Sequence, residues 1–214
     1  MRQRNIRNLE EKLANNADFL VEDPRAMKGK WSEVFGNENP IYLEIGCGKG
    51  QFIIKKAEDN VDKNFIAVEG QANVIVRAMQ KAQVAEFGNL RLFIDYVHDL
   101  KDYFEKGEIA GIYLNFSDPW PKARHYKRRL TYRGRLSNYF EVIKDGGFVE
   151  FKSDNDGLFE FTLEEIEEGG FEMVEMTRDL HASQFESRLT TTEYEEKFKS
   201  KGKNINYVKI ALKD

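Results

Sequence analysis

The chain has 214 residues, of which 41% are hydrophobic and 33% are charged, with a formal net charge of −4. This composition favours one globular domain over a disordered chain, and no run approaches the roughly 18 apolar residues that a membrane span needs. The basic N-terminus lacks a following apolar segment, so we expect a cytoplasmic protein. One cysteine and three scattered histidines exclude an internal disulfide and make a poor metal set, so we expect no metal.

The order of the predicted elements indicates an α/β fold. Residues 1–39 lack a clear strand, and we expect a partly mobile N-terminal arm before a single domain over residues 40–214. Short β-rich runs then alternate with helix-like stretches, which predicts βαβ units and a mostly parallel sheet. The runs are IYLEI (41–45), NFIAV (64–68), LRLFI (90–94), GIYLNF (111–116) and GGFVEF (146–151). After a helical segment at 158–170, FEMVEMTRDL and INYVKIALK suit an antiparallel end of the sheet.

A glycine-rich loop, LEIGCGKG at residues 43–50, follows the first predicted strand. In open α/β sheets, ligands bind outside the carboxyl ends of the strands. Its glycines let the chain turn tightly and let a ligand approach the backbone, and a helix starting near Lys49 would point its N-terminus at that ligand. The alternative is a tight turn that binds nothing.

Acidic residues near the strand ends indicate the kind of ligand. Glu69 closes the second strand, where nucleotide-binding α/β folds place an acid on ribose hydroxyls. Gln51 stands where G-x-G-x-x-G has its third glycine, and Glu44 would repel a pyrophosphate. These features disfavour a dinucleotide and favour S-adenosylmethionine, whose sulfonium and ammonium groups tolerate carboxylates. Asp95, after the third strand, either contacts this cofactor or forms a turn.

The stretch NFSDPWPKARHYKRRLTYRGR, residues 115–135, concentrates positive charge. Residues 119–140 hold seven lysines and arginines and no acid, which leaves −11 for the rest of the chain. Solvated faces usually mix signs, so a run of one sign with interspersed aromatic residues fits phosphate contacts and base stacking better. The prolines stiffen a ledge for Asp118 and Trp120, although the core is the alternative place for Trp120.

The segments GKW, LEIGCGKGQF, NFSDPWPKARHYKRRLT, FKSDN and TTTEYEEKF together resemble the bacterial tRNA (guanine-N7-)-methyltransferase family over most of the chain. The resemblance implies a Rossmann-like class I S-adenosylmethionine-dependent methyltransferase fold, with a mostly parallel seven-stranded sheet and an antiparallel C-terminal strand. It also implies transfer of the cofactor's methyl group to N7 of the guanosine at position 46 in the variable loop of tRNA.

By position, the resemblance implies three groups of site residues. The cofactor group, in which Asp118 is also the catalytic residue, is Glu44, Gly46, Gly48, Glu69, Asp118 and either Asp95 or Tyr96. The substrate group is Lys122, Asp154, Thr192, Glu193, Tyr194 and Glu195. The RNA-contacting group is Arg124, His125, Tyr126, Lys127, Arg128 and Arg129. For Arg128 or Arg129, an ion pair that pins the loop is the alternative.

The chemistry of guanine N7 agrees with this interpretation. N7 carries a lone pair and no proton, so methyl transfer needs no general base and depends mainly on positioning. The reaction leaves positive charge on the ring, which a carboxylate would stabilise, and a carboxylate would also accept hydrogen bonds from N1 and the exocyclic amine of guanine. Asp118, Asp154 and Glu195 are candidates for these two tasks.

Two other functions remain open at this point. A methyltransferase acting on a small molecule or a protein would leave the arginine run without a role. A non-catalytic RNA-binding protein would leave the glycine loop and Glu69 without one. As partners we expect tRNA and no membrane, and as assembly either a monomer or a homodimer.

Overall fold

A computed structural model describes residues 7–85 and 88–213. Within them, seven strands form one sheet in the order β3-β2-β1-β4-β5-β7-β6. The strands are β1 (Ile41–Ile45), β2 (Asn64–Val68), β3 (Leu90–Phe93), β4 (Ile109–Asn115), β5 (Ile143–Ser153), β6 (Glu172–Thr177) and β7 (Asn206–Ala211). Strands β1 to β5 are parallel, and β7 lies antiparallel between β5 and β6. The predicted mostly parallel sheet with an antiparallel C-terminal strand is therefore confirmed.

Helices cover both faces of the sheet. They are α1 (Leu9–Ala14), α2 (Trp31–Phe35), α3 (Gln51–Asp59), α4 (Ala72–Ala85), α5 (Arg133–Phe140), α6 (Asp156–Glu168) and α7 (Glu193–Lys199). Helices α3 and α4 pack on one face, and α2, α5 and α6 pack on the other. No helix in residues 7–85 and 88–213 has the length and apolar character required to cross a bilayer.

Burial on both faces explains why the central strands are continuous apolar runs. Every residue of β2 and β4 is buried, because a parallel sheet lies between two helical layers. A strand with alternating polar and apolar residues would bury its polar side chains against one of these two layers. The strand ends are therefore where polar side chains first appear, and Glu69 and Asn115 both lie there.

The segment before β1 packs against the sheet over much of its length. Residues 1–6 of the expected arm lie outside the described residues, but Trp31 is fully buried and its Nε1 donates to the Tyr103 carbonyl at 2.9 Å. The Val21 N–H donates to the Leu92 carbonyl at 2.8 Å. The buried residues of this segment are isolated in the sequence, which is why no periodic pattern indicated them. The domain boundary at residue 39 stays a prediction.

Candidate active site

A cleft opens at the carboxyl ends of the central strands. One part, the α7 cavity, has a volume of about 390 Å³ and lies between the glycine loop and helix α7. The other part, the strand-end cavity, has a volume of about 570 Å³ and lies beyond β2, β3 and β4. Both parts are lined by Gly46, Asn115 and Phe116. The two cavities are therefore neighbouring halves of one site.

The glycine loop forms a cradle closed by Glu69. The Gly48 N–H donates to Glu69 Oε2 at 3.2 Å, and the Gln71 N–H donates to Oε1 at 3.1 Å. Gly50 has φ +79°, and a Cβ there would lie 2.6 Å from the Ala78 Cβ, so the loop needs glycine to reach α4. At Gly48, φ is +58° and an added Cβ would meet nothing within 4 Å. The loop backbone thus faces open space.

Glu44 is a buried carboxylate with one free oxygen. Asn115 Nδ2 donates to its Oε1 at 2.8 Å, while Oε2 makes no hydrogen bond within the described part of the chain. Burial raises the pKa of Glu44 to about 7, against the lowering effect of the Asn115 hydrogen bond and the Lys152 charge. Since Glu44 lines the α7 cavity, this oxygen is placed to receive a donor or a cation.

Asp95 and Tyr96 both line the strand-end cavity, so the structure brings both candidates for the third cofactor contact to the site. Asp95 Oδ2 accepts from the Tyr103 hydroxyl at 2.7 Å and from Arg25 at 3.3 Å. Tyr96 is 64% exposed, and its ring covers Gly70, where a Cβ would lie 2.3 Å from the nearest ring carbon. The choice between them stays a prediction.

The loop after β4 forms the wall of the strand-end cavity. Phe116 and Trp120 have positive φ angles of 52° and 41°, which non-glycine residues adopt at an energetic cost. Asp118 lies between them with its side chain exposed to solvent, and it lines the cavity together with Trp120. Trp120 is half-buried and is outside the core, so this loop presents a carboxylate and an indole ring side by side.

Arg129 holds this loop in its strained conformation. Its Nε donates to the Pro119 carbonyl at 3.0 Å, and its terminal nitrogen donates to the Trp120 carbonyl at 3.2 Å. The guanidinium also lies 4.3 Å from the centre of the Phe161 ring on α6. Arg129 therefore pins the loop, as the alternative proposed, but it binds carbonyl oxygens instead of an acidic side chain. Arg128 instead stacks over Trp120 at 4.9 Å.

The rest of the predicted RNA-contacting group lies on a short 3-10 turn, Ala123–Arg128. Arg124 and Lys127 are exposed. The His125 ring packs edge-on against Trp120, and the Tyr126 ring packs edge-on against Tyr132. The charges on this turn therefore face solvent beside the cavity wall, while its two rings pack against neighbouring aromatic side chains.

The predicted substrate residues lie in different surroundings. Thr192, Glu193 and Tyr194 line the α7 cavity, where the Tyr194 ring packs 5.1 Å from that of Phe116. Asp154 interacts with the Tyr194 hydroxyl and is among the causes that raise the pKa of that phenol, after burial. Lys122 is exposed and lines neither cavity.

Glu195, the remaining member of the predicted substrate group, lies in the protein interior, and its role at the substrate stays a prediction. Its side chain is fully buried, lies 3.4 Å from Lys152 Nζ, and accepts from the Thr192 N–H in a capping box at the start of α7. Burial raises the pKa of this carboxyl. In this arrangement the Glu195 carboxylate lies between Lys152 and His181.

Sequence reasoning left several cavity-lining residues unassigned, among them Asn115, Arg135 and Lys197. Asn115 orients Glu44, Arg135 lines the strand-end cavity, and Lys197 lines the α7 cavity. The position of Asn115 at a strand end was a usable signal. Arg135 belongs to a basic run and Lys197 to a charged helix, so neither is distinguishable from its neighbours in sequence. Across residues 7–85 and 88–213, no group of histidine, cysteine and carboxylate side chains could hold a metal ion.

The donor and acceptor set fits S-adenosylmethionine. The free oxygen of Glu44 suits a cationic amino-acid group, and Glu69 beside the open glycine backbone suits ribose hydroxyls. The strand-end cavity offers space and an exposed aromatic ring for a planar base. The carboxylates of Glu44 and Glu69 lie beside the glycine loop and disfavour a phosphate at that place.

Comparison with known proteins gives a family match. A family model described as putative methyltransferase matches residues 38–208. Among curated relatives, the tRNA (guanine-N(7)-)-methyltransferase of Bacillus subtilis is 48% identical over 205 residues, which covers 96% of each chain. The protein of the same name from Streptococcus thermophilus is 42% identical over 214 residues and covers all of both chains.

Solved structures support the fold. The 16S rRNA methyltransferase KamB superposes with a TM-score of 0.62 at 11% identity, covering 87% of this chain and 94% of its own. An S-adenosylmethionine-dependent methyltransferase from Aquifex aeolicus superposes with a TM-score of 0.56 at 11% identity, covering 97% and 100%. At such identities the likeness concerns the fold alone.

Proposed function

The chain belongs to the tRNA (guanine-N(7)-)-methyltransferase family, and from this premise we propose that it methylates N7 of the guanosine at position 46 in the variable loop of tRNA. The cofactor is S-adenosylmethionine. The proposal makes tRNA the macromolecular partner and the cytoplasm the place of the reaction. Whether the enzyme acts as a monomer or a homodimer stays a prediction.

One observation carries the proposal: relatives of this activity match the chain from end to end, through both the glycine loop and the arginine run. A methyltransferase acting on a small molecule would need only the glycine loop, and a non-catalytic RNA-binding protein would need only the arginine run. In this structure the exposed Arg124 and Lys127 follow the wall that carries Asp118. An RNA whose phosphates contact these two side chains would have a nucleobase within reach of the cleft.

The chain's own residues mainly bind and orient. S-adenosylmethionine supplies an electrophilic methyl group when it is bound. Glu44 would hold its cationic amino-acid group and Glu69 its ribose hydroxyls, and Asn115 fixes the direction of the Glu44 carboxylate. Guanine N7 has no proton to lose, so no residue needs to act as a base. Asp118 stabilises the positive charge that develops on the guanine ring. Trp120 offers a face for the ring.

The direct test uses the intact chain, cofactor with a labelled methyl group, and two tRNA transcripts that differ only in guanosine or adenosine at position 46. We expect label in the first transcript alone, recovered as 7-methylguanosine after digestion. Label in both transcripts would move the methylated position elsewhere. Label in neither, with label in small molecules or protein from an extract, would support the small-molecule or protein alternative.

Cofactor binding is expected to strengthen with rising pH because Glu44 must be charged to hold a cation. With the pKa of Glu44 at about 7 in the ligand-free protein, affinity should rise about tenfold between about pH 6 and about pH 8 and then level off. Calorimetry at each pH measures this. Glu44→Gln is the control, since it retains the titration of the ligand itself and should lose most of the rise.

The same raised pKa has a consequence for stability with a defined sign. Between its ordinary value of 4.5 and about 7, the folded ligand-free protein binds more protons at Glu44 than the unfolded chain does. The contribution of Glu44 to stability therefore falls as the pH rises through this window. A Glu44→Gln variant with the same pH dependence of unfolding as the wild type would contradict this assignment.

Binding of tRNA is expected to depend on salt through the exposed basic turn. If Arg124 contacts a phosphate, Arg124→Ala should weaken tRNA binding and reduce the slope of log affinity against log salt by about 1. Cofactor affinity should respond far less to either change. Titrations at several salt concentrations, with thermal melting as a folding control, measure both. Equal slopes for wild type and variant would remove Arg124 from the RNA interface.

Arg129→Ala makes a matched comparison, since the same residue type is replaced five positions away. Because its guanidinium is bound to the Pro119 and Trp120 carbonyls, we expect a lower turnover rate and a salt slope close to the wild type. A slope reduced as much as in Arg124→Ala would instead place Arg129 on a phosphate.

A further inference from the structure

Lys152 on β5 is a buried lysine that neither the cofactor nor an exposed RNA contact explains. Its side chain is 1% exposed. Nζ donates to the Ser187 carbonyl at 2.7 Å and to the Thr190 carbonyl at 2.8 Å, and it lies 3.4 Å from Glu195 Oε2. Burial lowers the pKa of this amine, and the charge of Glu195 opposes that effect. The three partners account for the three donors of an ammonium group.

Glu195 extends this contact to two more elements. Its Oε1 lies 3.1 Å from His181 Nε2, and neither atom has another hydrogen-bond partner within the described residues. A proton on Nε2 of a neutral His181 would satisfy both atoms. On the other side, Glu195 and Thr192 form the reciprocal capping box that starts α7. One buried cluster therefore fixes residues 187–195 to the sheet.

The segment held in this way forms one wall of the α7 cavity. Thr192 and Tyr194 line that cavity, and the 45% exposed Tyr194 packs on Phe116 of the loop that carries Asp118. At the outer surface the segment is also tied by Glu193 to Lys49 and Lys81. Those two ion pairs are solvent-exposed and contribute little to rigidity. The buried contact of Lys152 is the firmer one.

We propose that Lys152 is a positioning residue: it never touches the substrate, but it holds residues 187–195 so that Thr192 and Tyr194 meet the target nucleotide beside the cofactor. This inference rests on the proposed function for the identity of the nucleotide. A buried ion pair is a poor source of stability, since apolar replacements often fold as well. What an apolar side chain cannot supply is three donors aimed at acceptors on two turns and a helix.

The test separates positioning from stability with three variants. Lys152→Met leaves Glu195 buried without its cation, and it should melt at a lower temperature. In Lys152→Met/Glu195→Gln both charges are absent, so melting should recover in part, while the buried Ser187 and Thr190 carbonyls still lack their donor. We expect kcat for tRNA to stay about ten- to a hundredfold low in the double variant, and clearly lower than in Glu195→Gln alone, because the Ser187 and Thr190 carbonyls remain unheld. Because the Lys152 charge also lowers the pKa of Glu44, kcat is measured with cofactor saturating and at a pH above the range in which Glu44 titrates.

Lys56→Met is the matched control. Lys56 Nζ lies 5.7 Å from the centre of the Phe52 ring, over which Lys152 also lies at 5.3 Å. Lys56 shares a small cavity with Ser187 but makes no hydrogen bond or ion pair with residues 187–195 among those described. Its kcat should equal that of the wild type. Recovery of kcat together with melting temperature in the double variant would overturn the proposal, and so would a loss of cofactor affinity that accounts for the lower rate.

Hydrogen exchange gives a readout that does not depend on the substrate. In the double variant, amides of residues 187–195 should exchange faster while those of β1 to β5 keep their protection. Unchanged exchange in this segment would overturn the proposal. If the wild type transferred no methyl group to tRNA, the proposed function would fail, and exchange alone would then decide whether Lys152 holds the segment.

Discussion

Asp118→Ala is expected to lower the rate of methyl transfer by about 100- to 1,000-fold, with tRNA and cofactor both saturating. The physical reason is that the product carries a positive charge on the guanine ring, and losing a preorganised opposite charge typically costs that much. Asp118 lines the strand-end cavity on a loop held rigid by Arg129. Single-turnover measurements report the chemical step itself and are the appropriate assay.

Asp118→Asn serves as the partner variant, since it keeps the size and removes the charge. It should lie between the wild type and Asp118→Ala. The alternative is that Asp118 only forms a turn before Pro119. In that case Asp118→Ala would melt at a lower temperature while its folded fraction turned over at the normal rate. Thermal melting and active-site titration of the same samples separate the two outcomes.

Glu69→Ala is expected to weaken S-adenosylmethionine binding by about 1 to 3 kcal/mol, the usual cost of losing charge-assisted hydrogen bonds. Its carboxylate also accepts from the Gly48 and Gln71 N–H groups, so the variant loosens the glycine loop as well. Burial raises the pKa of Glu69, and these backbone donors oppose the shift. The carboxylate is therefore held in place before a ligand arrives.

Glu69→Gln distinguishes the two contributions. Glutamine retains an acceptor but not the charge, so its affinity should fall between those of the wild type and Glu69→Ala. Calorimetry measures all three proteins, and circular dichroism checks that each is folded. An unchanged dissociation constant in folded Glu69→Ala would remove this residue from the cofactor site.

Much of the fold could be predicted because strand patterns are local. Continuous apolar runs in β1, β2 and β4 reflect burial on both faces, and the glycine loop after β1 indicates a strand-to-helix turn. In a parallel sheet the carboxyl ends of neighbouring strands meet at one edge. That rule brought Glu44, Glu69 and Asp118 to one cleft from their positions in the chain.

The segment before β1 could not be predicted in the same way. Phe19, Trp31 and Phe35 are buried, but they are separated by polar residues and follow no helical or strand period. Their burial depends on a surface supplied by β3 and by the turn around Tyr103, far away in the sequence. A local pattern has no information about such a surface.

The sequence by itself determined the sheet, the glycine loop, the acids at the strand ends and the family. Only the tertiary structure decided what individual charges contact: Arg129 binds carbonyls while Arg124 faces solvent, and Glu195 lies against Lys152. The reason is that strand and turn preferences depend on a few neighbouring residues. The partner of a charged side chain depends on which distant segment the fold places within hydrogen-bond distance.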